Sequence, residues 1–256
     1  MNPDWRTRYE LAVDVARKAG DLALSYFDAG VEIEIKADLS PVTIADRNAE
    51  RLIRDQVTAA FPTDGFLGEE FGDQPGESGF RWIIDPIDGT KSFVRGVPLW
   101  GTLVGLEYRG ELIAGACYIP ALNQMYRALR GDGAFRGERR IRVSDVPDLA
   151  HSMLCYSSIT WFSKHGRERA FLDFVNRTDR QRGYGDFYGF MLVAQGSAEV
   201  MIDHGVHAWD VAAVIPILEE AGGRLTNWSD QITMHSPDVI GTNGKVHAES
   251  LRILGS

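Results

Sequence analysis

Two carboxylates three residues apart follow an apolar run in Trp82-Ile83-Ile84-Asp85-Pro86-Ile87-Asp88-Gly89-Thr90. Asp85 and Asp88 flank the carbonyl of Ile87, and hard oxygen ligands packed this closely suit Mg²⁺. Gly89 and Thr90 follow at the start of a short helix, where free backbone N–H groups suit a phosphate. Other acids stand where they can converge on this pair. Glu69 and Glu70 end the short apolar piece Phe66-Leu67-Gly68. Asp46 lies near the start of one helix, and Asp210 follows Trp209 at the start of another. Strand ends and helix starts are where α/β folds place ligand sites. Three or more acids meeting without a basic partner repel strongly, so a cation is needed to hold them together. Two ions about 4 Å apart clamp a phosphate ester and activate a water for in-line attack. Taken singly, each acid also fits a plainer use. Asp85 and Asp88 suit a capped turn, Asp46 and Asp210 suit helix caps, and Glu69 suits a surface position.

The elements that must position these acids fall into two halves. Over residues 4–28, Leu11, Val15, Ala19, Leu22 and Phe27 recur at helical spacing, and Gly30 ends the helix. Residues 31–35 alternate apolar and acidic as a half-buried strand. Residues 36–41 are a polar loop, and Thr43 starts a second helix that runs to about Ala60. Residues 72–79 are rich in Gly, Pro and acid and read as a surface loop. Residues 81–85, 101–108, 112–119 and 124–129 read as consecutive strands of an antiparallel sheet, residues 131–137 as a tight turn, and 139–143 as a last strand. Around residue 147 strands and helices begin to alternate. Strands fall at 153–156, 181–184, 198–202, 224–226 and 239–240, with helices at 164–175, 187–195, 208–221 and 246–254. Alternation of this kind implies a mainly parallel sheet covered by helices. The expected organisation is an α+β half over 1–146 and an α/β half over 147–256, in one unit with the site at their junction.

With 256 residues and 44% hydrophobic residues, the chain can bury a real core. Its formal net charge is -9, and no Lys/Arg run exceeds two residues, which argues against nucleic acid as the main partner. Cys117 and Cys155 lie far apart outside any CxxC pattern and read as buried thiols in a reducing compartment. The N-terminal residues mix acid and base without an apolar core. The longest apolar run, 112–122, is too short and too interrupted to span a membrane. The expectation is a cytoplasmic protein.

Gly68-Glu69-Glu70, Asp85-Pro86-Ile87-Asp88-Gly89-Thr90 and Trp209-Asp210-Val211-Ala212-Ala213, followed by Glu220-Ala221-Gly222-Gly223, resemble the two signatures of the inositol monophosphatase family. The similarity runs from about Lys36 to Gly244. It implies a layered α/β/α/β/α sandwich of the inositol monophosphatase / fructose-1,6-bisphosphatase type. It also implies phosphate ester hydrolysis with two or three Mg²⁺ ions, inhibition by Li⁺, and a homodimer. By the same resemblance Glu69, Asp85, the carbonyl of Ile87, Asp88 and Asp210 are metal ligands. Gly89 and Thr90 cradle the phosphate, Thr90 and Asp46 orient and deprotonate the attacking water, and Lys36 opens a mobile metal-binding loop.

Substrate choice is expected to lie in the second half. Inositol phosphatases resemble a small, neutral Gly-Thr-Ala-Ala run where this chain has Gly183-Tyr184-Gly185-Asp186-Phe187-Tyr188-Gly189. Gly-Asp followed by an aromatic, then Leu192-Val193-Ala194-Gln195-Gly196, resembles the histidinol-phosphate phosphatase branch, as does the stretch Asp85 to Pro98. The resemblance implies hydrolysis of L-histidinol phosphate in histidine biosynthesis. Asp186 can pair with the ammonium of that substrate, and a nearby aromatic can face the cation. Asp203 occupies a position where the family contacts substrate, together with Asp88, Gly89, Thr90 and Asp210. Asp186 also fits a helix N-cap, and Asp203 a solvated turn. The alternatives are the same chemistry on inositol-1-phosphate or on 3′-phosphoadenosine phosphate. The latter calls for a more basic pocket than this sequence offers. His204 and His207 precede Asp210 at three-residue steps without the further Cys or His that a zinc site requires.

Overall fold

The computed structural model describes residues 3–29, 33–35 and 41–255. The first half contains helix α1 (Pro3–Ala29), strands β1 (Ile33–Ile35) and β2 (Pro41–Thr43), and helix α2 (Ile44–Ala60). Strands β3 (Gly65–Gly68), β4 (Gly72–Gln74) and β5 (Phe80–Asp88) follow, then the one-turn helix α3 (Thr90–Phe93). Strands β6 (Gly101–Tyr108), β7 (Glu111–Ile119), β8 (Gln124–Leu129), β9 (Gly133–Arg136) and β10 (Arg139–Ile141) complete it. The second half contains β11 (Met153–Tyr156), α4 (Ile159–Lys164), α5 (Glu168–Arg177), β12 (Arg180–Arg182), α6 (Asp186–Ala194), β13 (Val200–His204), α7 (Ala208–Ala212) and α8 (Val214–Glu220). It closes with β14 (Arg224–Thr226), β15 (Asp238–Thr242) and α9 (His247–Leu254).

These elements stack in five layers, and side-chain alternation is the reason. Along β5 and β6, Trp82, Ile84, Val104 and Leu106 point to one face and pack on α1 and α2 through Val15, Ala19, Ile53 and Val57. Ile83 and Leu103 point to the other face and pack on α6, α7 and α8. Those three helices are capped on their far side by the second sheet through Met201, Leu225 and Val239. Leu154, Val200 and Ile202 on the opposite face of that sheet pack on α4, α5 and α9. The α/β/α/β/α sandwich follows from period-2 strands that are apolar on both faces.

The eight-stranded sheet has the order β10-β9-β8-β7-β6-β5-β3-β4, with only β3 and β5 parallel. The second sheet, β12-β11-β13-β15-β14, is mixed rather than mainly parallel. β11 runs parallel to β12 and β13, but β15 is antiparallel to both of its neighbours, because β14 and β15 pair as consecutive strands without a crossover helix.

Other expectations shift locally. The stretch 131–137 contains β9, whose Ala134 faces inward in register with Ile141; its glycines mark the ends of the strand rather than a single turn. The loop 72–79 begins with β4. The helix expected at 164–175 starts later, at Glu168, and Lys164 instead ends a separate helix, α4, with Gly166 at a left-handed φ of 67° between the two. The helix expected at 208–221 breaks at Ala213, since Pro216 has no N–H to offer the preceding turn. The expected loop at 36–40 lies outside the described residues.

At the other end of the first sheet, Arg8 of α1 grips the buried carboxylate of Asp64 with two bonds of 2.8 and 3.0 Å. Ser78 and the indole of Trp82 also donate to Asp64. Burial raises the Asp64 carboxyl, but these donors outweigh it and hold the group below the usual carboxylate range. Both cysteines are buried free thiols. Among the described residues no helix is long and apolar enough to cross a membrane.

Candidate metal and phosphate site

In a regular strand Asp85 and Asp88 would face opposite sides of the sheet. In β5 they do not. Asp85 stands opposite Leu103 while Asp88 stands opposite Gly101, so β5 uses three steps where β6 uses two. The extra residue is a β-bulge at Pro86-Ile87, and it returns Asp88 to the face that Asp85 already occupies. Proline fits there because a bulge leaves a ladder donor unused. The bulge is pinned from both sides: the Thr102 hydroxyl donates to the Pro86 carbonyl at 2.8 Å, and the Thr90 hydroxyl to the Ile87 carbonyl at 3.0 Å. The Ile87 side chain packs on the opposite side with Phe93 and Trp100. Trp100, fully buried, is a core residue.

On the inner face Asp85 and Asp88 meet Asp210, the third residue of α7. One carboxylate oxygen from each lies within 4.8 Å of the others. Asp210 is fixed by the backbone N–H of His207, which donates to it at 2.7 Å. Burial, then the charges of Glu69, Asp88 and Asp210, raise the Asp85 carboxyl far above its ordinary range. Asp88 is raised likewise by burial and by Asp186 and Asp210. The Oδ1 atom of Asp85 is buried with no hydrogen-bond partner. Buried acids that repel one another around an orphaned oxygen suit a hard divalent cation, which relieves both costs. Among the described residues this group of three includes no histidine. His207 stacks on Trp209 with ring centroids 4.9 Å apart, and His204 lies tilted against His165 at 3.9 Å.

Glu69 stands outside the group of three but lines the same cleft, about 620 Å³ in volume. Its turn is held from behind. Glu50 of α2, fully buried, accepts the Glu70 backbone N–H at 2.8 Å and that of Phe71 at 3.4 Å, and Arg54 donates to it at 2.8 Å. Gly68 permits this, because a Cβ there would lie 1.9 Å from Glu50 Oε1. Asp46 is the N3 partner in a capping box with Thr43, whose hydroxyl and N–H donate to it at 2.7 and 2.8 Å. Burial raises Asp46 to about 6 against the pull of these two bonds, with Glu70 adding a further push. Asp46 is not among the cleft-lining residues, and Thr90 is bonded to Ile87, so each member of the expected pair has a different partner here.

Gly89 caps α3 in a left-handed conformation, φ 86°. A Cβ there would lie 3.1 Å from the Leu99 carbonyl and 3.4 Å from Oδ2 of Asp186. The same figure locates Asp186: its carboxylate lies against the Gly89-Thr90 turn. Asp186 is not the N-cap of α6. Gly185 holds that position without side-chain capping, and Asp186 itself has φ 54°. Burial raises its carboxyl, Asp210 adds to the rise, and Lys91 and the Ser157 hydroxyl oppose it. Asp203 is not a solvated turn residue either. It lies within β13, is 7% exposed and accepts the His204 N–H at 2.8 Å. Burial pushes it up to about 8, against the His204 bond and with help from Asp186 and Asp210, while Ser157 bonds to it as well.

Ser157, Lys91 and Trp161 line the cleft and were missed by motif reading. The signal for Ser157 was available, since it follows the end of β11, a strand parallel to both its neighbours, where α/β sheets open their crevices.

Fold and cleft together define a layered α/β protein with a carboxylate site suited to a divalent cation beside a phosphate-sized turn. Comparison with known proteins agrees. The model of the inositol monophosphatase family matches residues 4–254. A histidinol-phosphatase from Chlorobaculum parvum is 45% identical over 228 residues, which cover 87% of this chain and 85% of that protein. A histidinol-phosphatase from Mycobacterium tuberculosis is 40% identical over 252 residues, 96% of this chain and 97% of that one. The solved structure of an IMPase from Thermotoga maritima has a TM-score of 0.88 at 30% identity and covers 97% of both chains. The chain belongs to the inositol monophosphatase family, which uses divalent metals.

Proposed function

We propose that this protein hydrolyses L-histidinol phosphate to L-histidinol and phosphate, a step of histidine biosynthesis. Glu69, Asp85, the Ile87 carbonyl, Asp88 and Asp210 would hold two or three Mg²⁺ ions. Ions held there would supply Lewis-acid stabilisation of the phosphate and would lower the pKa of a bound water. The backbone of Gly89 and Thr90 orients the phosphoryl group, and the left-handed glycine lets the chain approach it closely. Asp46, raised by burial toward the range of a general base, would receive the proton of the attacking water through the Thr90 hydroxyl once the two leave their present partners, Thr43 and Ile87. Asp186 and Asp203, both bonded to Ser157, receive the substrate ammonium, which offsets the burial and mutual repulsion that hold both carboxyls up.

The observation that carries the substrate is the position of Asp186, whose carboxylate lies 3.4 Å from where a Gly89 Cβ would stand. A buried acid beside this turn offers a cationic alcohol a charged partner for its ammonium. The names of the two bacterial relatives support the same reading. The alternative is the same chemistry on inositol-1-phosphate, in line with the shared fold of the Thermotoga protein. A substrate panel with and without Mg²⁺ decides between them. Phosphate release is expected to require the metal and to be far faster from histidinol phosphate; equal or reversed rates overturn the substrate. A homodimer is part of the proposal, checked by light scattering.

A further inference from the structure

The acids of the cleft account for the ammonium and the phosphate of the proposed substrate, but histidinol phosphate also carries a planar ring. One wall of the cleft is aromatic. Trp161 of α4 and His204 at the end of β13 both line it, with ring centroids 5.8 Å apart and planes within 30°. His204 is backed by His165 at 3.9 Å and by Trp228 at 5.4 Å. Gly205 makes the arrangement possible. It takes a φ of 88°, and a Cβ there would lie 2.9 Å from the Trp161 indole, so only glycine lets the ring lie against this backbone. Trp161 nevertheless remains 36% exposed, a large aromatic left open at a cleft. Lys164 is exposed and its ammonium stands 5.2 Å from the indole, a contact that an incoming ring can replace. The Nδ1 atom of His204 is buried without a partner. Burial and the neighbouring His165 hold His204 below its ordinary value, so it brings no positive charge against a cationic substrate at neutral pH. Ser157, just after β11, faces the acids, and Trp161 follows four residues on in the first turn of α4.

We propose that Trp161 and His204 form a subsite for the planar ring of the alcohol half of the substrate. The inference rests on the reading of the cleft as a histidinol-phosphate site and assigns its imidazole to this wall.

The test compares histidinol phosphate with alaninol phosphate, which keeps the phosphate and the ammonium and lacks the ring. Trp161→Ala is expected to lower kcat/KM on histidinol phosphate about tenfold, as loss of an aromatic contact does, and to leave alaninol phosphate turnover unchanged. Trp161→Phe is expected to restore most of the difference. An equal loss on both substrates makes Trp161 merely structural and overturns the subsite, as does no loss on either. A wild-type enzyme that prefers inositol-1-phosphate overturns the functional reading itself, and this is visible before any variant is made.

Discussion

The carboxylate of Asp88 accepts a hydrogen bond from the backbone N–H of Phe187 at 3.2 Å, across 99 residues of sequence. Asp88 belongs to the bulged strand that gathers the metal-site acids. Phe187 stands next to Asp186 in the first turn of α6. This bond ties the candidate metal-binding acids to the residue proposed to choose the substrate. Phe187 is held in turn by Gly101, opposite Asp88, where a Cβ would lie 2.5 Å from the phenyl ring.

Asp88→Asn keeps an acceptor for Phe187 but removes a charge from the crowded face. Activity is expected to fall by at least about a thousandfold, the scale set by losing electrostatic stabilisation of a transition state. The metal-free protein is expected to melt at the same temperature or higher, because a buried like-charge repulsion is gone. Mg²⁺ is expected to raise the melting temperature of the wild type and not of the variant. Calorimetry with and without EDTA checks this, and an active variant would sink the metal assignment.

Asp186→Asn is expected to weaken turnover of histidinol phosphate about ten- to a hundredfold, the range for a lost charge-assisted hydrogen bond. A small aryl phosphate, which has no ammonium, should be spared. Steady-state kinetics on both substrates separate the outcomes, and an equal loss makes Asp186 a structural residue.

Glu50 touches no part of the cleft, yet it holds the turn that presents Glu69. Glu50→Ala removes the acceptor of two backbone N–H groups and of the Arg54 Nε–H. Mg²⁺ affinity is expected to fall about ten- to a hundredfold, as when the support behind a ligand is removed. Titration calorimetry with Mg²⁺ measures it, and an unchanged affinity in a folded variant shows that the turn holds itself.

The Arg8–Asp64 clamp predicts a stability effect away from the site. Asp64→Asn leaves Arg8, whose side chain is only 11% exposed, without its charge partner, and should cost about 3–5 kcal/mol. The folded carboxyl is held below its ordinary value, so its contribution is fully present above pH 3.8 and fades as pH falls further through the folded value. The gap between wild-type and variant melting temperatures should therefore stay constant from pH 7 to about pH 5 and close only in stronger acid. A gap that closes near neutrality refutes the assignment.

The sequence by itself singled out a set of acids and the chemistry that their types allow. Asp85, Asp88, Glu69 and Asp210 were legible because their types and spacing match one chemistry, and the apolar runs beside them placed them at element ends. The two halves were also legible from their element patterns, while the layered sandwich itself came from the family resemblance. Local pattern could not show the bulge that turns Asp88 onto the face of Asp85, since that depends on the register of β6. Nor could it show that Asp186 lies against Gly89, that Asp203 is buried, or that Trp161 rests on Gly205. Those relations join residues from about twenty to nearly a hundred positions apart, and only packing of the two sheets around α6 and α7 decides them. Asp186 shows the difference most plainly: as a residue before a helix it suits a cap, and the tertiary structure gives the cap position to Gly185 and turns the carboxylate toward the phosphate turn.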